Sequence, residues 1–144
     1  MQFELKEALA GIGNDSVEAL VKCLADTDRS IRRRAAIVLE HMGPSSARAI
    51  PALIASLDDS ANRDWAAAAL GRIGPKAESA VTPLIGLLES DDIGVRICAI
   101  RSLGEIGAPS KPAVPRLQQC LRDERRVNIA AEHALRQIAI SDRH

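Results

Sequence analysis

Residues 70–90 read LGRIGPKAESAVTPLIGLLES, with Gly71 and Gly74 leading into Pro75, and Pro83 set inside what is otherwise a helical pattern. A proline inside a helix removes one backbone hydrogen bond and bends the rod. Its place here is explained by recurrence. Leu9, Leu39, Leu70, Leu103 and Leu135 are spaced by 30, 31, 33 and 32 residues, and each has an apolar residue three positions on, at Ile12, Met42, Ile73, Ile106 and Ile138. The first four pairs are followed at once by Gly13, Gly43, Gly74 and Gly107. A period of this length predicts stacked supersecondary units rather than one globular core.

The register extends in both directions. Four residues before each leucine stand Leu5, Ala35, Ala66, Ala99 and Ala131, and eight before stand Ile31, Asn62, Val95 and Val127. Positions −8, −4, 0 and +3 fall on one stripe of a 3.6-residue helix, so each unit ends in an amphipathic helix, termed B. After Gly43, Gly74 and Gly107, apolar residues recur at +7 (Ile50, Val81, Val114), +10 (Leu53, Leu84, Leu117) and +14 (Leu57, Leu88, Leu121), which predicts a second helix, A, ahead of B. The glycine suits a left-handed C-cap, and Pro44, Pro75 and Pro109 suit a helix start. Pro51, Pro83 and Pro115 recur at one place in the A helices, where they predict a kink, and with Pro112 all seven prolines fall early in A segments. Two helices cannot bury their stripes alone, so neighbouring units must share a core.

The segments AIPALIASL, AVTPLIGLL and AVPRLQQCL, followed by IRRRAAIVLEHMG, NRDWAAAALGRIG and VRICAIRSLGEIG, closely resemble HEAT-like repeats of the short bacterial and archaeal type, including those of phycobilisome lyase subunits. The resemblance implies an all-α, right-handed α-solenoid of about nine helices. It would form one domain over 1–144, with a half repeat at 1–13 and repeats at 14–43, 44–74, 75–107 and 108–140. The unpaired first helix, with Phe3, Leu5 and Leu9 on its apolar face, is expected to be either a cap or a cut edge of a longer array. HEAT repeats also carry a turn Asp and a B-helix Arg that pair between units. Arg32, Arg63 and Arg96 match the arginine, and Asp26, Asp59, Asp91 and Asp123 match the acid; Asn128 replaces Arg in the last unit, so the ladder should weaken there.

Composition narrows the function classes. Hydrophobic residues make up 47% of the chain, yet Phe3 and Trp65 are the only aromatics, so the core is aliphatic. Nineteen basic and nineteen acidic side chains cancel, which removes the bulk field of a dedicated nucleic-acid or membrane-surface binder. Cys23, Cys98 and Cys120 are odd in number and widely spaced, and with no histidine at zinc spacing they suggest neither a disulfide framework nor a metal site. The chain has no basic, apolar leader and no eighteen-residue apolar run, so a cytoplasmic location is expected.

In the HEAT-like family the B helices line the concave side. Opposite the buried stripe lie positions −6 (Arg33, Asp64, Ile97, Ile129), −2 (Ile37, Ala68, Arg101, His133), +1 (Glu40, Gly71, Gly104, Arg136) and +2 (His41, Arg72, Glu105, Gln137). Ile37, Ile97 and Ile129 on that face have two readings: an apolar strip for a partner, framed by Arg33, Arg101 and Arg136, or contacts between adjacent B helices. Trp65, at −5, reads as a binding residue or as filler beside the small run AAAA. The dipeptides Glu40-His41 and Glu132-His133 invite comparison with the di-iron HEAT-like hydroxylases, but their order is reversed and they sit at unequal helix positions, so no metal or other cofactor is expected. No catalytic constellation stands out, so the protein is expected not to be an enzyme. The leading expectation is a protein-binding scaffold with a protein or peptide partner. A relation to bilin lyases is second and nucleic-acid binding, suggested by the clusters 28–34 and 121–126, is third.

Overall fold

The structure, a computed structural model, describes residues 14–143; the expected half repeat at 1–13 lies outside the described residues. Four B helices run in chain order as α2 (Arg29–Met42), α4 (Arg63–Ile73), α6 (Ile93–Ile106) and α8 (Arg125–Ser141). They alternate with four A helices, α1 (Asn14–Leu24), α3 (Ile50–Ser56), α5 (Val81–Leu87) and α7 (Val114–Cys120), and no strand occurs among the described residues.

The described residues thus hold eight α-helices and three 3-10 segments rather than about nine plain helices. Besides the helix expected at 1–13, the difference comes from the prolines. The three later A segments each divide into a 3-10 stretch (Gly43–Ala49, Gly74–Ala80, Ala108–Ala113) and a short α-helix. The first two stretches contain a residue outside helical geometry, Ser46 (φ −94°, ψ 17°) and Ala77 (φ −86°, ψ 26°). Pro51, Pro83 and Pro115 therefore lie in the first turn of α3, α5 and α7, where an absent N–H costs nothing, instead of kinking a continuous helix. Gly43, Gly74 and Gly107 end α2, α4 and α6 with φ of 59°, 83° and 80°, but with ψ between −146° and −135°. That is not the expected left-handed helical cap. It is a region open almost solely to glycine, and it turns the chain sharply into the next A segment.

Each B helix packs most extensively on the next B helix, and each A helix packs on its own B helix. Leu39, Leu53, Leu70, Leu84, Leu103 and Leu117 are fully buried in one contiguous apolar cluster that runs from Val17 to Ile138. Leu135 departs from the expected spine and is only half-buried. Each earlier B helix touches the 3-10 segment that follows it, whereas no described element follows α8. The buried edge of α8 is therefore centred on Val127, Ala131, Ala134 and Ile138.

The B-to-B contact is close at two points. A Cβ placed on Gly71 would lie 2.9 Å from Ser102 Cα, and one on Gly104 would lie 2.9 Å from Ala134 Cα and 3.0 Å from its Cβ. Gly71 and Gly104, expected on the open face, are thus the places where α4 meets α6 and α6 meets α8. The Ser102 hydroxyl crosses the first contact to donate to the Ala67 carbonyl at 2.5 Å. In α5, by contrast, a Cβ at Gly86 would meet nothing within 4 Å.

Two glycine substitutions should therefore have opposite signs. Gly86→Ala is expected to stabilise by about 0.5–1 kcal/mol, the helix-propensity gain. Gly104→Ala is expected to destabilise by about 1–2 kcal/mol, because overpacking against the α8 backbone outweighs the same gain. Urea denaturation of the two variants beside the parent checks both signs.

Candidate functional site: the B-helix face

The turns before the B helices set the geometry of this face. Asp28 and Asp92 cap α2 and α6: Asp28 accepts from Ser30 N–H at 2.8 Å, and Asp92 accepts from Gly94 and Val95 N–H at 2.8 and 3.4 Å. Helix α2, α6 and α8 each start ten residues before the leucine of the unit, but α4 starts at Arg63, only seven before Leu70. The break falls at Asn62, which holds the −8 position where the other units have Ile31, Val95 and Val127. Asn62 is buried and takes non-helical dihedrals (φ −134°, ψ −7°), and its amide donates to the Arg32 carbonyl at 3.3 Å.

The late start of α4 leaves a notch of about 350 Å³ between α2 and α6, floored by the turn into α4 and lined by Arg29, Arg33, Arg63, Asp64, Asp92 and Cys98 among others. A second depression of about 400 Å³ adjoins it between α6 and α8, lined by Gly94, Ile97, Cys98, Arg101, Arg126, Ile129 and Ala130. Gly94 and Cys98 line both, so the two adjoin across α6 on the B-helix face, and no residue of an A helix lines either. Five arginines face them against two aspartates. Burial, joined by the charge of Asp64, pushes the Cys98 thiol up, so it stays protonated and is a weak nucleophile.

The expected Arg–Asp ladder forms in part. Arg32 Nε donates to Asp59 of the next unit at 2.8 Å and Arg32 Nη1 donates to the carbonyls of Asp26 and Thr27. Arg96 lies 3.7 Å from Asp123 and donates to the Ser90 carbonyl. In the last unit Asn128 donates to the Leu121 carbonyl. The middle rung fails: no ion pair joins Arg63 to Asp91 among the described residues, and the Arg63 Nε is buried without a partner. Arg63 lines the notch, which Arg32 and Arg96 do not.

The residues expected on the open face divide. Arg33, Asp64, Arg72, Arg101, Glu105, Ile129 and His133 are exposed, Ile37 and Ala68 are half-buried, and Ile97 is buried at 8% exposure. Ile97 therefore follows the reading of contact between neighbouring B helices; it joins the apolar core cluster, with α8 packed beside α6. Ile129 has the same register on α8, where no described helix follows, and is 54% exposed. Of the +1 residues, Gly71 and Gly104 are contacts between helices, while the Glu40 carboxylate accepts from Arg72 Nε at 2.9 Å and lies 3.1 Å from His41. That bond to Glu40 raises the Arg72 pKa above its ordinary value. Partial desolvation, only partly offset by Arg72, pushes the Glu105 carboxyl up. Trp65 is half-buried against the core, outside the groove lining, with the Arg33 guanidinium 6.0 Å from its ring centre. Sequence reasoning missed Arg29, Arg63 and Arg126 as groove residues; the polar Asn62 in an apolar register was the signal for the first two.

Among the described residues no group of three or more His, Cys, Asp or Glu side chains is placed to hold a metal ion, and no helix is long and apolar enough to cross a membrane.

A family profile for HEAT repeats matches residues 4–69 and 58–136. The chain is a member of the HEAT-repeat family. Solved structures agree with the architecture. Two engineered proteins from the Northeast Structural Genomics Consortium align with TM-scores of 0.70 and 0.67, at 29% and 30% identity over 88% and 86% of this chain. The chain spans 64% and 38% of their lengths. A designed armadillo repeat protein aligns with a TM-score of 0.67 at 19% identity, over 88% of this chain and 69% of its own, a likeness of fold alone. No curated protein matches. The HEAT fold commonly serves as a scaffold for protein interaction.

Two predictions follow from this geometry. Ile97→Ala should cost about 2–4 kcal/mol of stability as a core truncation, whereas Ile129→Ala should change stability by less than about 0.5 kcal/mol; chemical denaturation separates them. Asp59 is the second. Desolvation pushes its carboxyl up, but the Arg32 hydrogen bond, the Ala61 N–H and the arginine charges outweigh it and hold the pKa below the ordinary value. A depressed carboxylate stabilises the fold above its unfolded pKa and loses that contribution as pH falls through the folded one. Asp59→Asn should therefore cost about 0.5–1 kcal/mol near pH 7, an amount suited to a partly exposed pair. The gap to the parent should close below about pH 4, as read from thermal melts across that range.

Proposed function

We propose that this HEAT-repeat protein is a non-catalytic adaptor that docks another protein on the face formed by its B helices. The observation that carries the reading is the pair of adjoining depressions across α2, α4, α6 and α8, walled only by B-helix and turn residues and together touching several units. Their lining includes the exposed Arg33, Arg101 and Ile129, an aliphatic side chain among long polar ones, as in the rim and anchor of protein interfaces, and exposed His133 stands one helical turn beyond Ile129 on α8. The half-buried Ile37 and Ala68 extend the same face toward α2, and Arg72 and Glu105 continue it toward the C-terminal ends of the B helices. Ile97 serves this surface from beneath as support for the groove floor rather than as an exposed anchor. The chemistry at hand suits binding: the one thiol in the groove is held protonated, and the acidic groups that face the notch are committed locally, Asp92 to the α6 cap and Asp64 to the Trp65 N–H.

The reading is tested by photo-crosslinking in the native host. A benzophenone amino acid in place of His133, on the B-helix face, should give discrete crosslinked protein bands. The same group in place of Gln118, exposed on the A helix α7, should give none. Equal labelling from both positions, or none from His133, would count against docking on this face.

A further inference from the structure

The two halves of the groove differ in chemistry, and they adjoin. The notch is lined by Arg29, Arg33 and Arg63, and its two aspartates already accept backbone hydrogen bonds. The depression beside it has an aliphatic floor and lip, Ile97, Ile129 and Ala130, flanked by Arg101 and Arg126. Across a chain of zero net charge, the two adjoining depressions together carry five arginines against two aspartates. Arg63 contributes because its rung of the ladder does not form. Its counterparts Arg32 and Arg96 are spent on turn acids outside the groove.

Resting on the docking function proposed above, we infer that the occupant is an acidic peptide segment of a partner protein, carrying Asp or Glu next to an aliphatic residue. The carboxylates lie against Arg29, Arg33 and Arg63 in the notch, while the neighbouring Leu, Ile or Met enters the depression against Ile129 and between Arg101 and Arg126. Guanidinium groups pair with carboxylates in a planar, two-pronged geometry, and the pairing gains where the groove walls exclude water. The aliphatic half distinguishes a peptide from a nucleic-acid strand, which would need a longer cationic track and aromatic platforms for its bases. The groove offers neither: Asp64 and Asp92 interrupt the arginines, and Trp65 lies outside the lining.

The experiment is a selection from a phage library of random 12-residue peptides, panned on the intact protein at low ionic strength. The enriched peptides are then measured by fluorescence anisotropy. The inference expects enriched sequences with at least two acidic residues beside Leu, Ile or Met. Binding should fall at least tenfold in the exposed-site variants Arg33→Glu and Arg101→Glu, and also in Ile129→Asp, with far-ultraviolet circular dichroism confirming that each is folded. A neutral or basic consensus competed by these variants would overturn the acidic assignment and leave the docking face standing. Enriched peptides indifferent to all three substitutions, or no enrichment at all, would overturn both. Tighter binding of a 20-nucleotide single-stranded or duplex DNA probe than of any selected peptide would replace the assignment with a nucleic-acid surface.

Discussion

The close approach of successive B helices is the constraint on which the rest of the structure depends. In a stacked array each unit is stabilised through its neighbours, so the contact between units, and not the unit, carries the fold. Here that contact has little room to give: backbone meets backbone at Gly71 with Ser102 and at Gly104 with Ala134. Small residues at these positions bring the helices near enough for Ile97 and Ile100 to be buried in the shared core and for Ser102 to donate across to the neighbouring unit. The first junction solves the same problem differently. Glu40 stands where the glycines stand, its side chain is largely buried, and Arg72 reaches back to it from α4. The α2–α4 contact is accordingly less extensive than the two that follow it. An ion pair whose arginine is exposed contributes less than dense apolar packing, so coupling between units is unequal along the stack.

The A segments follow from the need to return the chain to the start of the next B helix within a short length. A glycine with positive φ ends each of the first three B helices, a 3-10 turn redirects the chain, and a proline sits in the first turn of the α-helix that follows. Each residue stands where its limitation is harmless. Glycine takes a backbone region that side chains avoid, and proline occupies a first turn where no N–H is needed. The short A helices still bury Leu53, Leu84 and Leu117 fully, so the outer layer completes the core although it is built from broken pieces.

Much of this was legible in the sequence because periodicity depends on burial, and burial constrains residue type strongly. The recurrent leucine stripe, the terminal glycines and the clustering of prolines located the four B helices and the three later A segments in residues 14–143. Less legible was which side of a B helix faces its neighbour. A glycine on a helix surface reads equally as an open position and as a point of contact, and only the packing of two helices decides between them. Gly71 and Gly104 read as open positions for that reason, Ile97 had two readings, and Ile129, in the same register as Ile97, is open because no described helix follows α8. The arginines posed a similar problem. Arg32, Arg63 and Arg96 share one register, yet the partner of each depends on the turn of the adjacent unit, which the period does not encode.

The candidate site arises where the repeat is least regular. At Asn62, where the other units carry an aliphatic residue, α4 does not begin level with α2 and α6. Instead a buried amide bonds the Arg32 carbonyl, and the helix starts a turn late. The amide oxygen of Asn62 and the Nε of Arg63 remain buried without partners, an arrangement that costs stability. A regular array gains nothing from such a defect. Its effect is to open a concavity between two capped helices and to line it with the one ladder arginine that has no turn acid to hold. The departure at this residue coincides with the stretch of the B-helix face where the notch opens and Arg63 stands without a turn acid.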